Sequence, residues 1–235
     1  MPHPSPAPGP AAAGEAARLP EGVETWLFDM DNTLYPASAD LFAQIDRRME
    51  AYVARLLGLG RAEARAVQKR YFHEHGTTLR GLMLSHGVAP RDFLDFVHDI
   101  DLSVLAPDPE LARALGRLPG RRIVFTNSDR PYAERVLTRL GIRDRIDAIF
   151  GIEAMDYHPK PDPRAYAVLC ARYGIAPARA LFVEDTAHNL RPAKALGMTT
   201  VWVNNGSERG SHGACPSFID LEIADLSGWL AELTR

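Results

Sequence analysis

The chain has 235 residues, 46% of them hydrophobic and 24% charged, an ordinary balance for a soluble globular protein. A formal net charge of −3 gives no electrostatic case for a nucleic-acid polymer or an anionic membrane as partner. No apolar run is long enough to span a bilayer, so a membrane partner is not expected, and the length admits one large domain or a core with a smaller companion.

Residues 1–20 are rich in Pro and Ala and lack the charged start and apolar stretch of a signal peptide, so they read as a disordered tail. Two cysteines, Cys170 and Cys215, read as reduced thiols of a cytoplasmic protein. Only Lys69, Lys160 and Lys194 are lysines, against 24 arginines. Each lysine is therefore worth a question, because the two cations differ in shape and hydration.

The first expected strand is the apolar run from residue 25 to Asp29, inside the segment WLFDMDNTLYP. Asp31 follows two residues after Asp29, in a turn-forming context. Two carboxylates that close repel each other. At the carboxyl end of a buried parallel strand they would face the crevice where open α/β sheets bind ligands, as ligands for a hard cation or as a nucleophile.

From about residue 41 to residue 98 the periodicity is helical. Leu41, Ile45, Met49, Tyr52 and Val53 trace one face, and Ala64, Val67, Tyr71 and Phe72 another. Gly58 and Gly60 fit a helix end and loop; a phosphate loop there would need a preceding strand. Pro90 fits the first turn of a further helix.

Beyond Pro109 the texture becomes strand–helix alternation. RRIVFTNS, AIFGI, ALFVED and TTVWV read as four more strands, with helices over about 131–140, 163–173 and up to about 196. An amphipathic stretch over 223–233 either covers a sheet edge or forms a dimer contact, so the oligomeric state stays open. Such alternation predicts an α/β fold: a Rossmann-like, doubly wound parallel sheet. Residues 21–38 and 107–235 would form this core, and 39–106 an inserted helical domain.

Polar residues suited to phosphate chemistry stand at successive strand ends: Asp29 and Asp31, then Thr126-Asn127-Ser128, then Glu184-Asp185. Lys160 lies between them in HPKPDP. Taken singly, each has an ordinary explanation in turns, helix capping or a solvated loop charge. Together and in this order they resemble the haloacid dehalogenase superfamily of phosphatases, over about residues 24–205. DMDNT matches its nucleophile motif, FTNS its Thr/Ser motif, Lys160-Pro161 its lysine motif and VEDTAHN its acidic metal motif. The helical block stands where that superfamily carries its first-type cap.

The resemblance implies Asp29 as the nucleophile that forms an aspartyl-phosphate, and Asp31 as the general acid and then base. It implies Thr126 and Asn127, with Ser128 a further candidate, as holders of phosphate oxygens. Lys160 would bridge Asp29 and the phosphate, where a compact ammonium fits better than a planar guanidinium. Asp185, the Asp29 side chain and the Asp31 carbonyl would hold Mg²⁺, with Glu184 beside them. Such a set suits phosphoryl transfer, in which a carboxylate must attack a dianion and charge spreads over the equatorial oxygens.

A finer resemblance lies in residues 71–83, YFHEHGTTLRGLM, which look like the cap segment of the pyrimidine 5′-nucleotidase branch. It implies a pyrimidine nucleoside monophosphate as substrate, with Tyr71 stacking on the base and Arg80 donating to a carbonyl or phosphate. The alternative is another small phosphate ester: phosphoglycolate, a sugar phosphate or a purine nucleotide. A dehalogenase, a phosphonatase using Lys69 and a non-catalytic binding module are the remaining readings.

Overall fold

The computed structural model describes residues 22–235, and the expected tail over 1–20 lies outside the described residues. Six strands form one parallel sheet: β1 (Thr25–Phe28), β2 (Arg121–Phe125), β3 (Ala148–Phe150), β4 (Ala180–Glu184), β5 (Thr199–Val203) and β6 (Leu221–Ile223). Their order is β3-β2-β1-β4-β5-β6, the doubly wound α/β arrangement that the strand–helix alternation predicts.

β1 occupies the centre because every one of its side chains can be buried: Thr25, Trp26, Leu27 and Phe28 are all enclosed. Burying a large apolar side chain stabilises by about 1.5–3 kcal/mol, so a four-residue strand can hold its place between two neighbours. Phe28 is level with Val124 of β2 on one side and Val183 of β4 on the other. The chain therefore leaves all three strands at nearly the same height. Asp29, Thr126 and Asp185 emerge together at the point where the strand order reverses. The β1–β4 ladder runs one bond further, from the Asp29 N–H to the Val183 carbonyl at 2.9 Å.

Four helices, α1 (Leu41–Leu57), α2 (Arg61–His75), α3 (Thr78–His86) and α4 (Pro90–Val97), separate β1 from α5 (Pro109–Arg117), the helix that leads into β2. α1 ends at Gly58, whose φ of 66° is costly for a residue with a Cβ. The insertion has its own packing: the Tyr52 ring meets Phe93 edge-on at 5.0 Å, and the Arg48 guanidinium lies over Phe96 at 4.5 Å. Buried Glu50 is paired with Arg61 and Arg65. Lys69 is paired with Asp46 at 3.0 Å, a surface ion pair.

α6 (Arg130–Arg139), α7 (Pro163–Tyr173), α8 (Ala187–Ala195) and α9 (Glu208–Ser211) follow, and α10 (Leu226–Leu233) closes the chain. The 223–233 stretch does cover the core: Trp229 of α10 packs against Trp26 of β1 at 6.5 Å. Ser227 donates to Asp108, the residue that caps α5, at 2.9 Å. β6 is a strand that the sequence pattern does not announce. It has three residues, two of them exposed, so it carries no apolar alternation to read. Among the described residues Cys170 and Cys215 are free thiols, and no helix is long and apolar enough to cross a membrane.

The start of β2 is set by Gly120, at φ +79°; a Cβ there would lie 2.3 Å from the Glu24 carbonyl oxygen that receives the Arg121 N–H. Gly120→Ala should therefore destabilise the fold by about 1–3 kcal/mol, measured by urea unfolding. A change within about 0.5 kcal/mol, typical of a neutral surface substitution, would contradict this account of the β1–β2 entry.

Candidate active site

Asp29, Lys160, Glu184 and Asp185 converge at the carboxyl ends of β1 and β4. The Lys160 ammonium has three partners: Asp29 Oδ1 at 2.7 Å, Glu184 Oε2 at 2.7 Å and the Phe125 carbonyl at 2.8 Å. Those are all the donors an ammonium has. Its side chain is 1% exposed, and the charge lies over the Phe125 and Phe182 rings at 5.0 and 5.3 Å. Burial works against that charge, yet Asp29 and Glu184 outweigh it and hold the lysine above its ordinary value.

The loop that delivers Lys160 is held by Asn127. Its side-chain amide donates to the Lys160 carbonyl at 3.1 Å and its oxygen accepts the Lys160 N–H at 2.8 Å. The Lys160–Pro161 peptide between them and α7 is cis. Asn127 thus does for the backbone what Glu184 does for the ammonium.

Thr33 joins the first and fourth strand ends. Its hydroxyl donates to Asp29 Oδ2 at 3.0 Å and accepts the Asp185 N–H at 3.1 Å. Asn32, at φ 62°, makes the turn that brings Thr33 back; Asn tolerates this region better than most residues. Asp185 also receives Thr186 and Asn205 on its two oxygens, at 3.3 Å each.

Asp31 stands apart from this charge cluster, in a small polar nest. Tyr35 donates to its Oδ1 at 2.6 Å and Tyr132 reaches the same oxygen at 3.4 Å, while Ser128 donates to Oδ2 at 2.8 Å. Burial and then the Asp29 charge push the Asp31 carboxyl up from its ordinary value, against the pull of these donors. Thr126 is fully enclosed; its hydroxyl oxygen accepts the Ser128 N–H at 3.0 Å, a bond that does not use its own O–H.

Asp29, Glu184 and Asp185 each offer an oxygen within 4.8 Å of the others. Three buried carboxylates with one ammonium among them leave negative charge in excess. The excess bears on its own members: burial and then Asp29 push Glu184 well up, and Asp185 up to about 6. A hard divalent cation prefers such a set of oxygens, so the residues fit Mg²⁺.

The two residues expected to contact substrate from the helical block differ in placement. Arg80 crosses to the sheet side and donates to the Tyr157 carbonyl at 2.9 Å, three residues before Lys160. Tyr71 is packed within the block: a Cβ on Gly81 would lie 2.4 Å from its ring, and its hydroxyl meets His86 at 2.7 Å. Sequence reasoning did not single out Thr33, Tyr35 or Tyr132. Thr33 and Tyr35 sit inside the quoted opening segment; Tyr132 gave no local signal.

The family model that matches this chain, over residues 23–197, is that of the haloacid dehalogenase-like hydrolases. The chain belongs to that family. Among curated proteins it is similar to phosphate metabolism protein 8 of Saccharomyces cerevisiae, 29% identical over 74% of this chain and 60% of the yeast protein. It thus spans three fifths of that relative. It is also similar to phosphoglycolate phosphatase of Pseudomonas putida, 27% identical over 78% of this chain and 70% of the relative. Fructose-1-phosphate phosphatase YqaB of Escherichia coli is 30% identical over 49% of this chain and 61% of its own length. Among solved structures, a haloacid dehalogenase-type phosphatase from Thermococcus onnurineus superposes with a TM-score of 0.59 at 21% identity, covering 90% of this chain and 96% of that one. L-2-haloacid dehalogenase from Xanthobacter autotrophicus gives 0.57 at 20%, covering 91% and 98%. At that identity the likeness is one of fold.

The cluster makes a measurable demand on stability. Burial and then the Asp29 charge push the Asp185 carboxyl from its ordinary 3.8 up to about 6, so the folded state binds more protons than the unfolded chain between those values. Stability from this group is present below that window and is lost as pH rises through it. Asp185→Asn should raise the melting midpoint of the metal-free protein at neutral pH by about 2 °C or more. A fall in Tm would mean that the charge on Asp185 is already compensated.

Proposed function

We propose that this hydrolase is a metal-dependent phosphomonoesterase that acts on a small phosphate ester through an aspartyl-phosphate. The observation that carries the reading is the pairing of two unlike carboxyls at the end of β1: Asp29, held by Lys160 and Thr33, and Asp31, with its carboxyl pushed up in a nest of hydroxyls. One environment fixes a carboxyl between an ammonium and a hydroxyl, in position to attack. The other favours a group that can carry a proton at working pH.

Asp29 attacks phosphorus, and the bond from phosphorus to the ester oxygen breaks. Asp31 gives its proton to that departing oxygen. Asp31, now ionised, then takes a proton from water as the water oxygen attacks the phosphorylated Asp29, which releases phosphate and restores both groups. Lys160 fixes the orientation of Asp29 and offsets charge on the phosphoryl oxygens, and Thr126 supplies an O–H to one of them. Asn127 and Ser128 act through Lys160 and Asp31, whose positions their side chains fix. Mg²⁺, held by Asp29, Asp185 and the Asp31 carbonyl with Glu184 beside them, supplies positive charge to the phosphate when bound.

The relatives named for phosphoglycolate and fructose 1-phosphate favour a small acid or sugar phosphate over a pyrimidine nucleoside monophosphate. The packing of Tyr71 points the same way, because the ring is buried against Gly81 with the Arg70 guanidinium over it at 5.3 Å, which leaves little of it for a base. Support for the nucleotide comes from the resemblance of residues 71–83 and from Arg80, the one member of the expected pair that reaches the site side. For a dehalogenase, a departing halide takes no proton, which leaves Asp31 without work. The residues 39–106 act in this reading as a helical cap over the strand ends, and its contacts with the core include Arg80 on the Tyr157 carbonyl, Arg91 on Asp129 and His98 on Tyr132.

Mg²⁺-dependent release of phosphate from para-nitrophenyl phosphate is expected, with chelator abolishing it and Asp29→Asn inactive. No turnover by the wild-type protein, or unchanged turnover in Asp29→Asn, would overturn the reading. Asp31→Asn should slow hydrolysis of alkyl phosphates by about 10²–10⁴-fold, with the melting curve retained. A panel of phosphoglycolate, sugar phosphates, UMP, CMP and AMP should rank the small acid and sugar phosphates first; UMP and CMP at the top would restore the pyrimidine assignment.

A further inference from the structure

The reaction as written uses Asp31, but it does not explain how a carboxyl on a turn keeps one orientation through two opposite proton transfers. Two phenols address the same oxygen. Tyr35 donates to Oδ1 at 2.6 Å from four residues along the chain, and Tyr132 reaches it at 3.4 Å from 101 residues along. Both side chains are buried, at 3% and 1% exposure. Burial and then the Asp31 charge push both phenols up from their ordinary value, so they remain neutral donors.

Tyr132 is itself immobilised. Its ring stacks on His98 with centroids 4.3 Å apart and planes 11° from parallel. His98 Nδ1 meets Asp129 Oδ1 at 2.8 Å, and that oxygen also accepts the Tyr132 N–H at 3.3 Å as the cap of α6. Arg91 of α4 pairs with the other oxygen of Asp129, and Arg135 holds the His98 carbonyl at 3.1 Å. Burial would push Asp129 up, yet His98 and Arg91 outweigh it and hold its carboxyl below the usual range. The last turn of α4 is therefore wired, through one ring stack, to the oxygen of Asp31.

We propose that Tyr35 and Tyr132 are positioning residues for proton transfer by Asp31, with the end of α4 supporting Tyr132 through His98. This rests on the phosphatase reading above and assigns residues that reading does not use. Two donors on Oδ1 leave Oδ2 as the oxygen that carries the proton, and the Ser128 hydroxyl beside it can either donate to the carboxylate or accept from the acid. In the first half-reaction the Oδ2–H bond breaks and a new O–H bond forms on the departing oxygen, which keeps the electron pair of the broken P–O bond. In the second half-reaction Oδ2 receives a proton from water. Neither phenol gains or loses a proton overall.

A positioning role differs from a structural one in which substrates it affects. Protonation matters when the departing oxygen is strongly basic, as in an alkyl phosphate, and hardly at all for para-nitrophenolate. kcat/KM reads the steps through loss of the leaving group and so isolates the first proton transfer from the second. Tyr35→Phe, Tyr132→Phe and the double variant should be compared with wild type on a series from para-nitrophenyl phosphate through phenyl phosphate to glycerol phosphate, with melting curves recorded in parallel. The single variants should lose about tenfold or more in kcat/KM on the alkyl phosphate and no more than about threefold on para-nitrophenyl phosphate, a fraction of what acid–base help is worth. Equal losses across the series, or none, overturn the proposal while wild-type turnover keeps the phosphatase reading intact. Wild-type inactivity on the whole series overturns both. Should Tyr132→Phe unfold, Tyr35→Phe decides alone, because Tyr35 stands on the Asp31 turn and takes no part in the His98 stack.

Discussion

A buried ammonium shared by two carboxylates and a carbonyl is the constraint around which this molecule is arranged. Lys160 bridges Asp29 and Glu184 across the ends of β1 and β4 and takes the last carbonyl of β2, so one side chain touches all three central strands. Removing charged groups from water costs several kcal/mol per ion, and breaking such a pair by deleting one partner typically costs about 3–5 kcal/mol. The arrangement persists because every donor on the ammonium is met. An arginine would present a planar fork to three acceptors that lie in different directions.

Charge in the site is nonetheless unbalanced, and the imbalance has a direction. Glu184 and Asp185 are both pushed towards their neutral forms, by burial and then by the Asp29 charge. Asp31 is pushed the same way but lies in a nest of hydroxyls away from the ammonium. One short turn thus carries two carboxyls in different surroundings, one on an ammonium and one among hydroxyls. Thr33 is the hinge pin: by bonding to Asp29 and to the Asp185 N–H, it fixes the distance between the ends of β1 and β4.

The parts legible in the sequence were those whose signal is local. β1 reads as a strand because an unbroken apolar run stops at an aspartate, and Lys160 stands out because two prolines and a scarcity of lysine frame it. α4 and α7 begin at Pro90 and Pro163, where a proline suits the first turn. The parts not legible depend on partners far along the chain. Tyr132 looks like one more aromatic on an amphipathic helix until its hydroxyl meets Asp31, and Asn127 looks like a turn residue until its amide meets Lys160. Tyr71 shows the limit from the other side: the aromatic is plain in the sequence, but which way it faces is decided by Gly81 beneath it. β6 was missed because three largely exposed residues on an edge have no pattern to show.

The chain has three tryptophans, and their placement divides them. Trp26 and Trp229 face each other in the core, with the Trp26 indole N–H on the Pro119 carbonyl at 2.9 Å. Trp202 donates its indole N–H to the carbonyl of Asp185 at 2.8 Å. A residue that would grip a cation is therefore hydrogen-bonded to a fluorophore, while the other two indoles are buried against each other away from it. A cation gripped by Asp185 would be one hydrogen bond away from the Trp202 indole, whose emission is the natural place to look for its arrival.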